Sequence, residues 1–243
     1  MHTVKLFLFI IFSCIHIQVS YAQQNDCKEL LQEVHSNSTR ISKDQVCYMD
    51  YGVRVVEKKS TVQSVENRVR MYSDSTHQRV LTDKVKLYAD GEISISVVTD
   101  SKVIMINKLD QKTKNELKKQ KPTSLDSVFF ASADIVSCKK VTGNVHYTKE
   151  VELQTKKGIT SSFTRIKYYI HEDKKEVYQI KMYYTEASPY NYAEYTFYKV
   201  DYDYKEKKIN EAVYTLFFDS DGSLVSSYKG YKVIDNRKIK NQN

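Results

Sequence analysis

The stretch Tyr198-Lys-Val-Asp-Tyr-Asp-Tyr204 decides the fold. Tyr198, Val200, Tyr202 and Tyr204 fall on one side of its alternation; Lys199, Asp201 and Asp203 fall on the other. Side chains two apart share a face of a strand, so the period predicts a ribbon with an aromatic wall and a wet wall. The same period runs back through Tyr178, Ile180, Met182 and Tyr184, and through Thr164, Ile166, Tyr168 and Ile170. Residues 163–204 hold 11 of the 20 tyrosines. Neighbouring strands of this kind make a sheet with a broad aromatic face. Tyrosine suits a half-wet face, because its ring is apolar and its hydroxyl needs a partner.

Outward from this stretch, Val145–Gln154, Ser162–Ile170, Glu176–Thr185 and Glu194–Tyr204 read as strands. Asn210–Phe218 and Leu224–Ile234 are predicted to close the chain as a hairpin around Asp219-Ser-Asp-Gly222. Upstream, Val53–Glu57 and Val65–Tyr72 read as strands. Val85, Leu87 and Ala89 alternate before Asp90-Gly91, and Ile93, Ile95 and Val97 alternate after it. Asp-Gly between two such runs predicts a tight hairpin, with Val85, Leu87, Ile93 and Ile95 expected on one face. Val103–Ile106 is an unbroken apolar run, expected to lie deeper.

Two helices interrupt the strands. Asp26 can cap a helix over Cys27 to His35, with Leu30, Leu31 and Val34 on one side. After Pro122, the residues Leu125, Val128, Phe129, Ser132, Ile135 and Val136 recur at helical spacing and predict a central helix lying on the sheet. Between them, Lys108 to Lys121 is rich in lysine. It reads as a solvated loop or frayed helix, or as a contact patch for an acidic partner or an anionic membrane surface.

The first 22 residues have the pattern of a secretory leader: Lys5, an apolar run from Leu6 to Ile17, then Ser20-Tyr-Ala22. Cleavage is expected after Ala22; lipid attachment at Cys14, within Ile11-Phe-Ser-Cys14, is the rival reading. Residues 23–236 are expected to form a single β-rich domain, with a polar tail at 237–243. Loss of Lys5 with the leader lowers the net charge from +8 to +7, a moderate excess that favours anionic surfaces. No arginine-rich helix, zinc-finger spacing or RNA-binding aromatic motif points to nucleic acid. In an oxidising compartment Cys27–Cys47 is the favoured disulfide, pinning the first helix to the first strand. The alternative is three small buried hydrophobes, with Cys138 the third. Asn37-Ser-Thr39 is an acceptor triplet for glycosylation.

No catalytic signature stands in the chain. His35, His77, His146 and His171 have no zinc-binding spacing, and neither a nucleophile elbow nor a phosphate loop occurs. Cys138 with His146 is outweighed by a buried thiol. Asp219-Ser-Asp-Gly222 opens like a calcium loop, but Gly230 stands where the twelfth-position Glu belongs. No cofactor is expected.

Val85-Lys-Leu-Tyr-Ala-Asp-Gly-Glu92, Tyr198-Lys-Val-Asp201 and residues 223–235 resemble strands and turns of the LolA/LolB-type periplasmic lipoprotein carriers and receptors. The order of elements is similar across most of the chain. There is no tryptophan, and Asn67-Arg-Val-Arg-Met-Tyr72 departs from the family's Phe-Arg-Trp-type strand. The resemblance implies a mainly β, α+β fold: a curved antiparallel sheet or incomplete barrel with an N-terminal helix and a central lid helix. It implies an exported, periplasmic or extracellular carrier, not an enzyme, holding a lipid or acylated ligand on the concave face. Val128, Phe129, Ile166, Tyr168, Ile180, Met182, Tyr198, Val200 and Tyr202 are the expected ligand-contacting residues. The alternative is a cell-envelope interaction or carbohydrate-binding module using the tyrosine-rich face.

Overall fold

The computed structural model describes residues 25–36, 45–59, 64–119, 132–156, 162–205 and 209–238. The leader, the Asn37 triplet, Val128 and Phe129 lie outside them. Helix α1 spans residues 25–36. Then come β1 (Cys47–Glu57), β2 (Asn67–Ser73), β3 (Gln78–Leu81), β4 (Val85–Ala89), β5 (Ile93–Val98) and β6 (Val103–Lys108). Helix α2 (Gln111–Lys119) precedes β7 (Ala133–Lys140), β8 (Lys149–Thr155), β9 (Phe163–His171), β10 (Glu176–Tyr184) and β11 (Tyr190–Asp201). Strand β12 (Lys232–Asp235) is the last. The fold is mainly β, as expected. The twelve described strands are hydrogen-bonded in the order β12-β6-β5-β4-β3-β2-β1-β11-β10-β9-β8-β7, an open sheet. It is mixed rather than wholly antiparallel, because β12 runs parallel to β6.

The chain forms two compact units. The first takes the described residues of Met1–Asn37, Val56–Thr61 and Leu125–Glu194. In it, α1 buries Cys27, Leu30 and Leu31, with Val34 half-buried, an apolar stripe at helical spacing. Asp26 lies within the helix rather than before it. Two cross-strand rows form the apolar face: Ile135, Leu153, Ile166 and Met182, then Cys138, Val151, Tyr168 and Ile180. Cys27 is disulfide-bonded to Cys138, with Cα atoms 6.4 Å apart, and Lys175 Nζ reaches Glu33 Oε2 at 2.9 Å. Helix α1 is thus fastened at one point to the end of a row and at another to the β9–β10 turn.

Two expectations are corrected here. Ile135 and Val136 belong to strand β7, not to a central helix. Branched residues suit a pleated surface, and β7 pairs with β8 from Ala133 to Lys140 with a register shift at Val136. The same change decides the disulfide. On a strand, Cys138 projects from the same face as its partner Val151, where α1 can reach it. Cys47 is not the partner of Cys27; it is buried beside Met49 and Met71 in the other unit.

The second unit takes the described residues of Ser38–Val55, Val62–Ser124 and Tyr195–Asn243. Its hairpin turn is one residue later than expected. Asp90 N–H donates to Ile93 O (3.3 Å), so Gly91 and Glu92 are the central pair, and Gly91 takes φ +81°. A two-residue turn at either position pairs odd-numbered with even-numbered residues, so the expected common face for Val85, Leu87, Ile93 and Ile95 does not form. Ile95 pairs with Tyr88 and Val97 with Lys86, while Leu87 and Val85 stand opposite Ser96 and Val98. Val85 and Leu87 therefore lie on the other face from Ile93 and Ile95.

Ile95, Val97, Ile104 and Ile106 are buried against Val213, Phe217 and Phe218. Most of the two closing strands is replaced by 3-10 turns at Val213–Leu216 and Ser226–Tyr228, with a bridge from Phe218 to Leu224; of the expected strand Leu224–Ile234, Lys232–Ile234 is in a strand, β12. Packing Phe217 among Tyr88 (5.0 Å between ring centroids) and Tyr228 (4.8 Å) requires a chain that coils over the face. Val103 and Met105 are only half-buried, so the apolar run Val103–Ile106 alternates in depth. Residues expected to be loop or frayed helix form α2, where Asp110 Oδ1 accepts the Thr113 N–H at 2.7 Å.

Candidate functional site

The antiparallel registers of the second unit build an apolar row that no single segment reveals. Met49 pairs with Met71, Met71 with Val80, Val80 with Leu87, Leu87 with Ser96 and Ser96 with Met105. These six residues cross six strands on one face, a span of about 24 Å at ~4.8 Å per strand. Met49 and Met71 are buried; Val80, Leu87, Ser96 and Met105 are half-buried. The row thus runs from a closed end to a more open one.

A second row on the same face is more polar: Cys47, Ser73, Gln78, Ala89, Ser94 and Asn107. Gln78 Nε2 donates to Met71 Sδ at 3.9 Å, joining the two rows. Tyr51, Phe197, Val200 and Tyr202 pack against the Cys47–Met49–Met71 cluster, with Tyr51 and Phe197 5.8 Å apart. Burial pushes the Tyr51 phenol up, and neighbouring Tyr195 adds to the shift, so it stays neutral. The described members of this cluster are all on sheet strands or, for Tyr202, just beyond one. Methionine is unbranched and polarizable, so such a surface adapts to an irregular apolar partner.

The expected ligand residues divide. Val200 and Tyr202 belong to this face. Tyr198 does not pack with them: it is 48% exposed, its hydroxyl donates to Glu66, and Arg68 lies 4.9 Å from its ring centroid. Tyr204 stacks on Tyr48 at 4.8 Å, on the opposite side from Tyr202. The alternation expected across Tyr198–Tyr204 ends because β11 stops at Asp201, whose Oδ1 accepts the Asp203 N–H at 3.1 Å and turns the chain. Ile166, Tyr168, Ile180 and Met182 lie together in the first unit, where the first three are buried in its interior. Met49, Met71, Val80, Leu87 and Met105 were missed, because only the registers bring them into line.

The wet face of the first unit is a network. Lys167 Nζ meets Glu150 Oε1 at 2.9 Å and Glu152 Oε2 at 3.1 Å; Arg165 meets Glu152 at 3.1 Å. Arg165 lies 4.1 Å from the Tyr183 ring centroid and Lys181 lies 3.8 Å from that of Tyr192. His146 stacks on Tyr178 at 4.9 Å, and Cys138 is spent in the disulfide, so the two make no nucleophile pair.

No protein-family model matches the sequence, and no curated protein matches it. Several solved structures are similar to the chain. An uncharacterized conserved protein from Thermus thermophilus has a TM-score of 0.42 and 10% identity, covering 86% of this chain and 99% of its own. A domain named for outer membrane lipoprotein sorting, from Vibrio parahaemolyticus, has a TM-score of 0.34 and 8% identity over 70% and 91%. A LolA superfamily protein from Nitrosomonas europaea has a TM-score of 0.29 and 8% identity over 71% and 91%.

Proposed function

We propose that this chain is an exported, non-enzymatic carrier that holds a lipid, or the acyl group of a modified protein, along the Met49–Met105 row. The observation that carries the reading is the row itself: an extended apolar track, rich in methionine, bordered by Ser73, Gln78, Ser94 and Asn107. An apolar surface with a few polar groups is sufficient chemistry for such a ligand. The leader pattern of residues 1–22 supports export to the periplasm or the extracellular space. The test is binding of a fluorescent fatty-acyl probe. Leu87→Asn and Met105→Asn, both at half-buried positions, should weaken binding roughly tenfold or more, each placing a polar amide where apolar surface is removed from water. Lys199→Ala, on an exposed residue, should leave it unchanged. Absence of saturable binding by the folded wild type would remove the carrier reading.

A carbohydrate or envelope-contact role for the tyrosine-rich wet face is the second reading. Its rings at Tyr183, Tyr192 and Tyr178 support it, since sugars stack on aromatic faces. The cations over Tyr183 and Tyr192 and the His146 ring over Tyr178 each occupy a face that a sugar would use. That weighs toward the apolar row.

A further inference from the structure

The face opposite the methionine row carries its own row: Tyr48, Tyr72, Arg79, Tyr88, Ile95 and Ile106. Five are aromatic or aliphatic; the third is a guanidinium. Arg79 is 5% exposed, and its Nε and Nη2 are buried without a hydrogen-bond partner. The carboxylate paired with it is that of Glu211, whose Oε2 stands 3.8 Å from Nη2, beyond hydrogen-bonding reach, on a side chain 61% exposed.

Two other arginines of the same unit show what this edge does with a carboxylate in range. Arg68 donates from Nε and Nη2 to the two oxygens of Asp50 at 2.8 and 2.7 Å. Arg237 does the same to Asp235 at 2.9 and 2.7 Å. The Nε–Nη2 edge is a fork whose spacing matches two oxygens of a carboxylate or phosphate. In Arg79 the fork is bare, yet it is the most deeply buried of the three. A buried charge without a hydrogen-bonded counter-ion is strongly disfavoured, so the position calls for an anion.

The surroundings say where it enters. Tyr72 and Tyr88 are the cross-strand neighbours of Arg79. Ile209 is buried against Tyr72, and Val213 belongs to the cluster that Tyr88 packs on. Glu211 lies midway between these two anchors, where the chain passes Arg79. We propose that Arg79 is the anchor of an oxyanion site: one carboxylate or phosphate group, entering where Glu211 stands, is gripped by Nε and Nη2 between Tyr72 and Tyr88. Glu211 is the built-in competitor that the ligand displaces. The site is on the other face from the methionine row, so this inference stands or falls apart from the carrier reading.

The test uses the full chain with inorganic phosphate and with acetate, each against chloride at matched ionic strength. Binding is read by calorimetry and by the Nε–H resonance of Arg79. Saturable binding that shifts this resonance is expected in the wild type. Glu211→Gln should tighten it severalfold. Arg79→Lys, which keeps the charge but loses the fork, should weaken it at least tenfold, and Arg79→Gln should abolish it. A response to phosphate alone assigns a phosphate-bearing ligand; a response to acetate alone assigns a carboxylate-bearing one. No saturable binding in either the wild type or Glu211→Gln would overturn the proposal. So would an equal response to chloride, or one that survives in Arg79→Lys unchanged.

Discussion

Asp90 joins two parts of the chain 123 residues apart. Its Oδ1 accepts the N–H groups of Glu92 and Ile93 at 3.0 Å each, shaping the turn, and its Oδ2 accepts the Val213 N–H at 2.9 Å. Burial pushes this carboxyl up, but the three backbone donors win and hold it below the usual range. Asp50 is the simpler case for pH. Hydrogen bonds from the Arg68 guanidinium hold its carboxyl below the usual range against the opposing effect of burial. A depressed folded-state pKa stabilises above the unfolded value near ~3.9 and loses that contribution as pH falls through the folded value. Asp50→Asn should therefore melt below the wild type at pH 7, with the gap closing steadily below about pH 4. A gap that is constant from pH 7 to pH 2 would show that the ionised pair contributes nothing.

At the scale of elements, α1 depends on its attachment to β7. The Cys27–Cys138 bridge closes a loop with a sequence separation of 111. In the chain-entropy account a loop near that length contributes about 4–5 kcal/mol. Cys27→Ser and Cys138→Ser should each lower unfolding stability by most of that amount, and the double variant should be no worse than either alone. Peptide mapping should find Cys27 linked to Cys138. A Cys27–Cys47 peptide, or additive losses in the double variant, would refute the pairing. The C-terminal segment shows a related principle. Strands were expected over Asn210–Phe218 and Leu224–Ile234, but residues 213–228 coil, because burying Val213 and Phe217 on the sheet face decides their path.

Over the whole molecule, the carrier reading joins two claims that can fail separately: export and apolar binding. Export requires that residues 1–22 be removed, so the mature protein should begin at Gln23 when expressed behind its own leader. N-terminal sequencing that finds Met1 intact would refute export, and lipid on Cys14 would favour the rival anchor. Neither outcome alters the methionine row.

Local periodicity was legible from the residues alone. The stripe of Cys27, Leu30, Leu31 and Val34 identified α1, and two-residue alternation identified β4, β5, β9 and β10. Those patterns depend on neighbours within one turn or one pleat, so sequence by itself determined them. What it could not determine was register. Pairing across the Gly91-Glu92 turn sets Leu87 opposite Ser96, on the face of Met71 and Met105 and away from Ile95. Cys138 lay in a segment whose spacing suited a helix until pairing with β8 made it a strand. Six strands had to align before Met49, Met71 and Met105 shared a row, and before Arg79 stood between Tyr72 and Tyr88. Contacts between residues far apart in the chain are chosen by which faces bury together, and only the tertiary structure made that choice.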